Sequence, residues 1–353
     1  MMQRPDTSPQ RRRALTRPSG PALGWSLVTL VALVAPLLAS ERQLFLLMSV
    51  MVLAVFATSF NVLLGYTGLV SFAHASYYGV GAYTVALLAL HAGLPPLIGF
   101  VLAPFVTALV AYITGLVALR ATRLYFALLT LALGQLLFLA AFQWRSVTRG
   151  DDGIHGVVLP PALASTLSRY YFVLVAAGVA LMVLAVVLRS PFGQTLRAIR
   201  ENRERTGFLG VKVKRYELAA FTLGGSFAGY AGALFVISER SAFPELLHWT
   251  TSAQPIFVTL IGGLSSFAGP AVGAVVFGLL QDYITRNIEY WQAVLGIVLL
   301  LIILFLPGGL VEGSKRLYAL ATNRGPSPGG DTTSPGAEGD RDADREPTTT
   351  GGA

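Results

Sequence analysis

Two clusters of residues in this chain could do chemistry, and neither has the make-up of a catalytic centre. The first is Asn61–Thr84, NVLLGYTGLVSFAHASYYGVGAYT, where Thr67, Ser71 and His74 stand with Tyr66, Ser76 and Tyr77 inside an otherwise apolar stretch. Hydroxyls and a neutral imidazole can exchange hydrogen bonds with a polar solute, and an ionisable group within a membrane span is a functional candidate by default. Gly65, Gly68, Gly79 and Gly81 accompany them and let backbones bend or approach closely. Two readings follow: a broken helix lining a solute route, or interhelical packing whose hydroxyls and imidazole are satisfied internally. A second break, GLSSFA at Gly263–Ala268, echoes GLVSFA at Gly68–Ala73 and adds Ser265 and Ser266 to the candidate route. Both breaks continue into Gly-containing runs, which hints at an internal parallel repeat, a recurring design in transporters.

The second cluster is a basic insert, RSPFGQTLRAIRENRERTGFLGVKVKR, with eight Lys/Arg between Arg189 and Arg215 against only Glu201 and Glu204. Leu196 and Ile199, with Arg203 and Thr206, repeat at helical spacing; Glu201 can pair with Arg205 at i,i+4, and Gly207 and Gly210 offer stops. Apolar runs flank it on both sides, so a compact charged loop is held at a membrane surface.

Other chemistries find no footing. Cysteine is absent and the four His show no metal-ligand spacing. GDDG at Gly150–Gly153 lacks the EF-hand pattern and reads as a turn. No G-x-x-x-x-G-K-[ST] occurs, so the chain has no P-loop for ATP. We expect no enzyme activity, no cofactor and no metal, and an energy source outside the chain.

The elements that must carry these clusters are membrane helices. Of the 353 residues 54% are hydrophobic and 12% charged, and no Asp, Glu, Lys or Arg falls between Gln43 and Leu119. A Lys or Arg at mid-membrane costs roughly 2.5–3.5 kcal/mol, which drives charge into loops. Apolar runs predict spans at Ala22–Ala39, Gln43–Leu64, Phe72–Leu90, Leu94–Leu119, Leu124–Trp144, Tyr170–Leu188, Leu218–Ser238 and Tyr290–Val311. A longer run, Leu246–Thr285, is interrupted at Ile261–Pro270 and fits two arms, the first short. The expected fold is an all-α polytopic membrane protein of about 8–10 transmembrane helices with Gly-broken or re-entrant segments.

Placing the N-terminus inside puts eighteen Lys/Arg in inside segments and six outside, leaving two in the distal tail. The positive-inside rule therefore expects both termini and the insert in the cytoplasm of an inner-membrane protein. The net charge of +8 is accounted for by this placement, without nucleic acid. The expected organisation is a basic cytoplasmic tail at residues 1–20, a permease domain at 21–313 with its loop at 190–216, and a Pro/Gly/Ser/Thr-rich disordered tail at 314–353. Asp282 is the only acid well inside an apolar run, a poor basis for the ion relay of a self-contained secondary transporter.

Several ordered motifs together resemble one family. Asn61–Thr84, YFALLTLA at Tyr125–Ala132, TRGDDGIHGV at Thr148–Val157, SPFGQTLRAIREN at Ser190–Asn202, GGLSSFAGPAVGA and LFLPGGL are similar to LivM-type permeases of branched-chain amino acid ABC importers. The similarity runs over roughly Gln43–Gly313; Ala73 and Arg149 stand where the family usually has Gly. It implies a translocating subunit for branched-chain or related amino acids, with urea or another small solute as the alternative substrate. It also implies a second permease subunit, two ABC ATPases, and a periplasmic or lipid-anchored solute-binding protein. The insert would be the coupling helix, with Arg197, Arg200, Glu201, Glu204, Gly207 and Gly210 as its coupling residues. Membrane lipid is an additional partner for the basic face.

Overall fold

Ser40 opens the first long helix. Its Oγ accepts from Gln43 N while Gln43 Oε1 accepts from Ser40 N at 2.8 Å, a reciprocal cap that starts α1 (Glu41–Thr67). The helix ends at Gly68, whose φ of 73° is a left-handed cap that a β-carbon would strain. The computed structural model describes residues 33–36, 39–264 and 266–287, with scattered positions between 290 and 313. The expected tails at 1–20 and 314–353, most of Ala22–Ala39 and Tyr290–Val311, and Ser265 lie outside the described residues.

After α1 come α2 (His74–His91), α3 (Pro96–Ala118), α4 (Arg123–Gln143) and the single turn α5 (Arg145–Thr148). Past β1 (Ile154–His155) follow α6 (Thr166–Arg189), α7 (Pro191–Glu201), α8 (Arg203–Phe208) and α9 (Val213–Glu239). The chain then passes β2 (Ser241–Ala242) and two 3₁₀ turns to α10 (Ala253–Gly262) and α11 (Gly269–Asn287). Among the described residues five helices are long and apolar enough to cross a membrane: α1, α3, α6, α9 and Leu124–Gln143 of α4. Helix α2, more polar, packs on α3 and α9 and meets α1 through the side chains of His74 and Tyr78.

The fold is helical, as expected, and among the described residues it has one antiparallel ribbon, pairing Ile154 with Ala242 and His155 with Ser241. GDDG forms a 3₁₀ turn beside this ribbon, and Val157 and Arg240 exchange backbone and side-chain hydrogen bonds there. The expected arm beginning at Leu246 is different: Pro244–Leu247 and Trp249–Ser252 are 3₁₀ turns, and helix starts only at Ala253. At 10 residues α10 is about 15 Å long, half the thickness of a hydrocarbon core. It is the short first arm that the interrupted run implied.

Helix α9 is the centre of the bundle, packed on α1, α2 and α3. It can lie this close because its facing positions are small. A β-carbon at Gly232 would stand 1.8 Å from the carbonyl oxygen of Tyr78, and one at Gly81 would stand 2.0 Å from that of Gly229. Backbone meets backbone at this crossing, the close approach small residues permit between membrane helices. Around it the larger side chains fill the core: Phe56, Tyr78 and Phe235 make a run of tilted ring contacts, and Tyr77 meets Phe221 edge-on. The outward faces of α3, α4 and α6 carry exposed Phe105, Leu109, Leu136, Val175 and Met182, as a lipid or protein neighbour in the membrane requires.

The Gly81–Gly229 contact has no room to yield without moving a helix. Gly81→Ala should destabilise the bundle by about 1–3 kcal/mol, and Gly81→Val should abolish a cooperative transition. Thermal unfolding in detergent, with Gly178→Ala as the comparison because nothing lies within 4 Å of its added carbon, checks this.

Candidate functional site: two helix breaks and a docking loop

Between α1 and α2 the chain runs irregularly through Gly68–Ala73. His74, the first residue of α2, lies beside Ser59, eight residues and so about 12 Å back from the end of α1. Non-helical backbone at this depth is tolerated only if protein satisfies its polar groups. Leu69 N bonds to Leu63 O, capping α1. Phe72 N donates to Thr130 Oγ1 of α4 at 3.1 Å. Ser252, buried at the head of α10, donates to Phe72 O at 2.7 Å and accepts from Ala75 N at 2.9 Å. One hydroxyl therefore closes both sides of the break.

The second break touches the last turn of α1, three residues before the first break. A β-carbon on Gly65 would stand 2.9 Å from Leu264 O, and one on Gly309 2.5 Å from the Cα of Gly263. Gly263 itself has φ 109° and Gly68 has 73°. The two similar sequences GLVSFA and GLSSFA thus mark helix–break–helix segments that both adjoin the last turn of α1, on the insert side of the bundle.

His74 is sealed in a box of three elements. Its ring stacks on Phe56 at 5.4 Å and meets Phe60 and Tyr77 edge-on. Its Nε2 lies 2.9 Å from Ser59 Oγ. Ser59 directs its one proton to Phe56 O at 2.7 Å, so it accepts from His74, which is then the neutral tautomer carrying hydrogen on Nε2. Nδ1 is left without a partner, as are Ser71 Oγ and both amide atoms of Asn61. Thr67 bonds back to Leu63 O at 2.6 Å. Of the expected route residues, Thr67, Ser71 and His74 are buried, Ser266 is half-buried at the second break, and Ser265 is outside the described residues.

The insert is two helices, not one. Pro191 sits in the first turn of α7, and Gly193 packs directly on the Leu188 backbone, folding α7 sharply against the end of α6. Gly193, Leu196 and Ile199 make its buried face. At Asn202 the backbone becomes extended (φ −152°, ψ 102°), and the Asn202 side chain caps α8 by accepting from Arg205 N at 2.9 Å. The expected single helix through Arg203 is interrupted there because Asn caps better than it propagates. The ion pair that forms is Arg203 with the buried Glu217 of α9, at 2.7 Å, in place of Glu201 with Arg205. Gly207 lies inside α8, whereas Gly210 has φ 86° and is the true stop.

Arg197 and Arg200 are themselves exposed but reach the end of α1: Arg197 bonds and stacks on Tyr66, and Arg200 Nη1 donates to Gly65 O. Glu201 and Glu204 stand exposed. Sequence reasoning passed over the most exposed apolar pair of the loop, Phe208 at 90% and Leu209 at 79%, which its flanking Gly207 and Gly210 already framed. It also passed over Thr130 and Ser252, single hydroxyls with no local signal.

Comparison with known proteins agrees with this architecture. A family model described as the permease component of branched-chain amino acid transport systems matches residues 43–303. The high-affinity branched-chain amino acid permease protein LivM of Salmonella typhimurium is 26% identical over 83% of this chain and 76% of its own length. LivM of Escherichia coli is 26% identical over 81% and 73%. LivH of Escherichia coli is 24% identical over 73% of this chain and 90% of its own. No solved structure matches.

Ser252 is the residue on which the first break depends. Ser252→Ala would strand Phe72 O and Ala75 N in a dry interior and should cost about 1–3 kcal/mol. Ser266→Ala at the half-buried second break should stay within about 0.5 kcal/mol. Unfolding midpoints of the two variants in detergent should separate accordingly.

Proposed function

We propose a transport role for this chain, which belongs to the family of permease components of branched-chain amino acid transport systems: it is one of two membrane subunits of an ABC importer for branched-chain or related amino acids. Two ATPases bind at the insert, a solute-binding protein delivers substrate at the opposite face, and the insert and both termini lie in the cytoplasm. The observation that carries this reading is the tip of α8. Phe208 and Leu209 project from a charged loop with almost all of their surface free, and exposed aromatic anchors of this kind serve protein interfaces. The tip is rigid at its base, because Thr206 bonds to Ala198 O and Asn202 O and Gly210 holds the left-handed exit. Glu201 and Glu204 flank it as rim contacts.

The route is proposed to run past the two breaks, with Thr67, Ser71, His74, Ser265 and Ser266 on its wall. Buried groups without partners at Asn61, Ser71 and His74 support a route closed at this point, whose opening would expose them. A secondary transporter finds less support, since Asp282 is ion-paired with Arg286 and with Arg42.

Co-expression with ATPase and second-permease subunits of such an importer from the same organism tests the reading. Phe208→Asp with Leu209→Asp should abolish co-purification with the ATPases. Gly210→Val, which strains the exit by about 1 kcal/mol or more, should weaken it. A label at Arg203 should react only from the ATPase side of sealed vesicles. Unchanged co-purification in the double variant, or ATP-independent ion-coupled uptake by the chain alone, would overturn the proposal.

His74→Ala should lower uptake while the complex assembles, because it removes the ring on which α1, α2 and α9 converge at the break. Unchanged uptake kinetics in His74→Ala and in Ser71→Ala would place the route elsewhere.

A further inference from the structure

We propose that Arg197 and Arg200 are a latch that joins the docking loop to both helix breaks, so that movement of the loop acts on the route through two guanidinium groups. This rests on the transport reading above and assigns these residues a positioning role inside the subunit.

The two arginines are one helical turn apart on α7 and grip consecutive residues of the last turn of α1. Arg200 Nη1 donates to the carbonyl oxygen of Gly65. Arg197 Nη2 donates to Tyr66 OH at 3.2 Å, and its guanidinium carbon lies 4.8 Å over the Tyr66 ring. The last carbonyls of a helix have no intrahelical partner and carry partial negative charge. Helix α1 has no basic residue in its last turn, so the cation that satisfies this end comes from another element. The stem of Arg200 also lies on the cap, where a β-carbon on Gly68 would meet its Cγ at 3.4 Å.

What makes the grip a link to both breaks is the residue held. Gly65 faces Leu264 O of the second break so closely that an added β-carbon would reach 2.9 Å, and three residues later the first break begins. A pull on the Gly65 carbonyl is therefore felt at GLVSFA and GLSSFA together. The other ties of the loop run elsewhere: Gly193 to the end of α6, and Arg203–Glu217 and Phe192–Tyr216 to the start of α9. Arginine suits the task because its planar fork can stack on a ring and donate at fixed angles, which an ammonium cannot.

The test uses the full assembly of both permeases and both ATPases in liposomes, reading co-purification and the ATP hydrolysed per solute imported. Arg200→Ala should retain co-purification and raise that ratio about tenfold, with Arg200→Lys recovering part of the coupling. Arg197→Ala and Tyr66→Leu should each raise it, and the double variant should be no worse than the poorer single one. If Arg200→Ala fails to insert, Tyr66→Phe, which removes one oxygen, carries the test through the Arg197 bond: a raised ratio supports the latch and an unchanged one overturns it. An unchanged ratio in Arg200→Ala overturns it, and lost co-purification there does too, by making Arg200 an ordinary docking contact. An unmodified assembly that neither co-purifies nor imports solute in an ATP-dependent manner brings down the transport reading, and the latch with it.

Discussion

Inside a bilayer every backbone N–H and C=O must find a partner within the protein, because no water is there to take its place. A continuous helix meets that demand by itself. A chain that leaves the helix inside the bundle, as this one does at Gly68–Ala73, must recruit side chains instead. Thr130 and Ser252 answer for Phe72 and Ala75, and Arg200 answers for Gly65 at the end of α1. Each comes from a different element, so the irregular segment can exist only when α4, α7 and α10 are all in place. The break is a product of the tertiary fold, and it also records that fold's state: moving any of the three elements leaves a polar group uncompensated.

The same demand explains why the centre of the bundle is poor in bulk. Side chains that reach across to a break must do so over short distances, and short distances require helices in backbone contact. Gly81, Gly229 and Gly232 supply that contact between α2 and α9. His74 fills the remaining gap with a ring that can both stack and donate, and Ser59 sets its tautomer.

Much of the fold was legible from charge alone. The runs without charge located α1, α3, α4, α6 and α9, and the paired GLVSFA and GLSSFA sequences located both breaks. The glycine at 210 was legible as a stop because only glycine is at ease at positive φ. What was not legible depends on distance in the chain or on exposure. Thr130 and Ser252 act 58 and 180 residues away from Phe72, and nothing local distinguishes them from other hydroxyls in membrane helices. The split of the insert at Asn202 was obscured by good helical spacing on both sides of it. Phe208 and Leu209 invert the usual preference of apolar side chains for the interior, so a reading tuned to buried faces ignored them. Arg197 and Arg200 were expected as coupling residues, but their partners belong to a helix that ends more than a hundred residues earlier, so the groups they hold were invisible.

That hold changes how force can travel through the subunit. A loop tied only to the helices that enter and leave it would transmit motion along α6 and α9, whose bodies are locked in the core and would move as a whole. A loop that also holds the free end of α1 can shift a terminus, where the ladder of hydrogen bonds has already stopped and the neighbouring backbone is irregular. Displacing such an end disturbs a few side-chain bonds, whereas displacing a packed helix disturbs all of its contacts. Two weak points, Gly68–Ala73 and Gly263–Ala268, with Gly65 between them and one arginine holding it, therefore offer the path of least resistance between the exposed tip at Phe208 and the buried polar groups around His74. The asymmetry fits the division of labour: the first break is held from the loop, while the second is backed by the glycine at 309 and moves by contact with the last turn of α1.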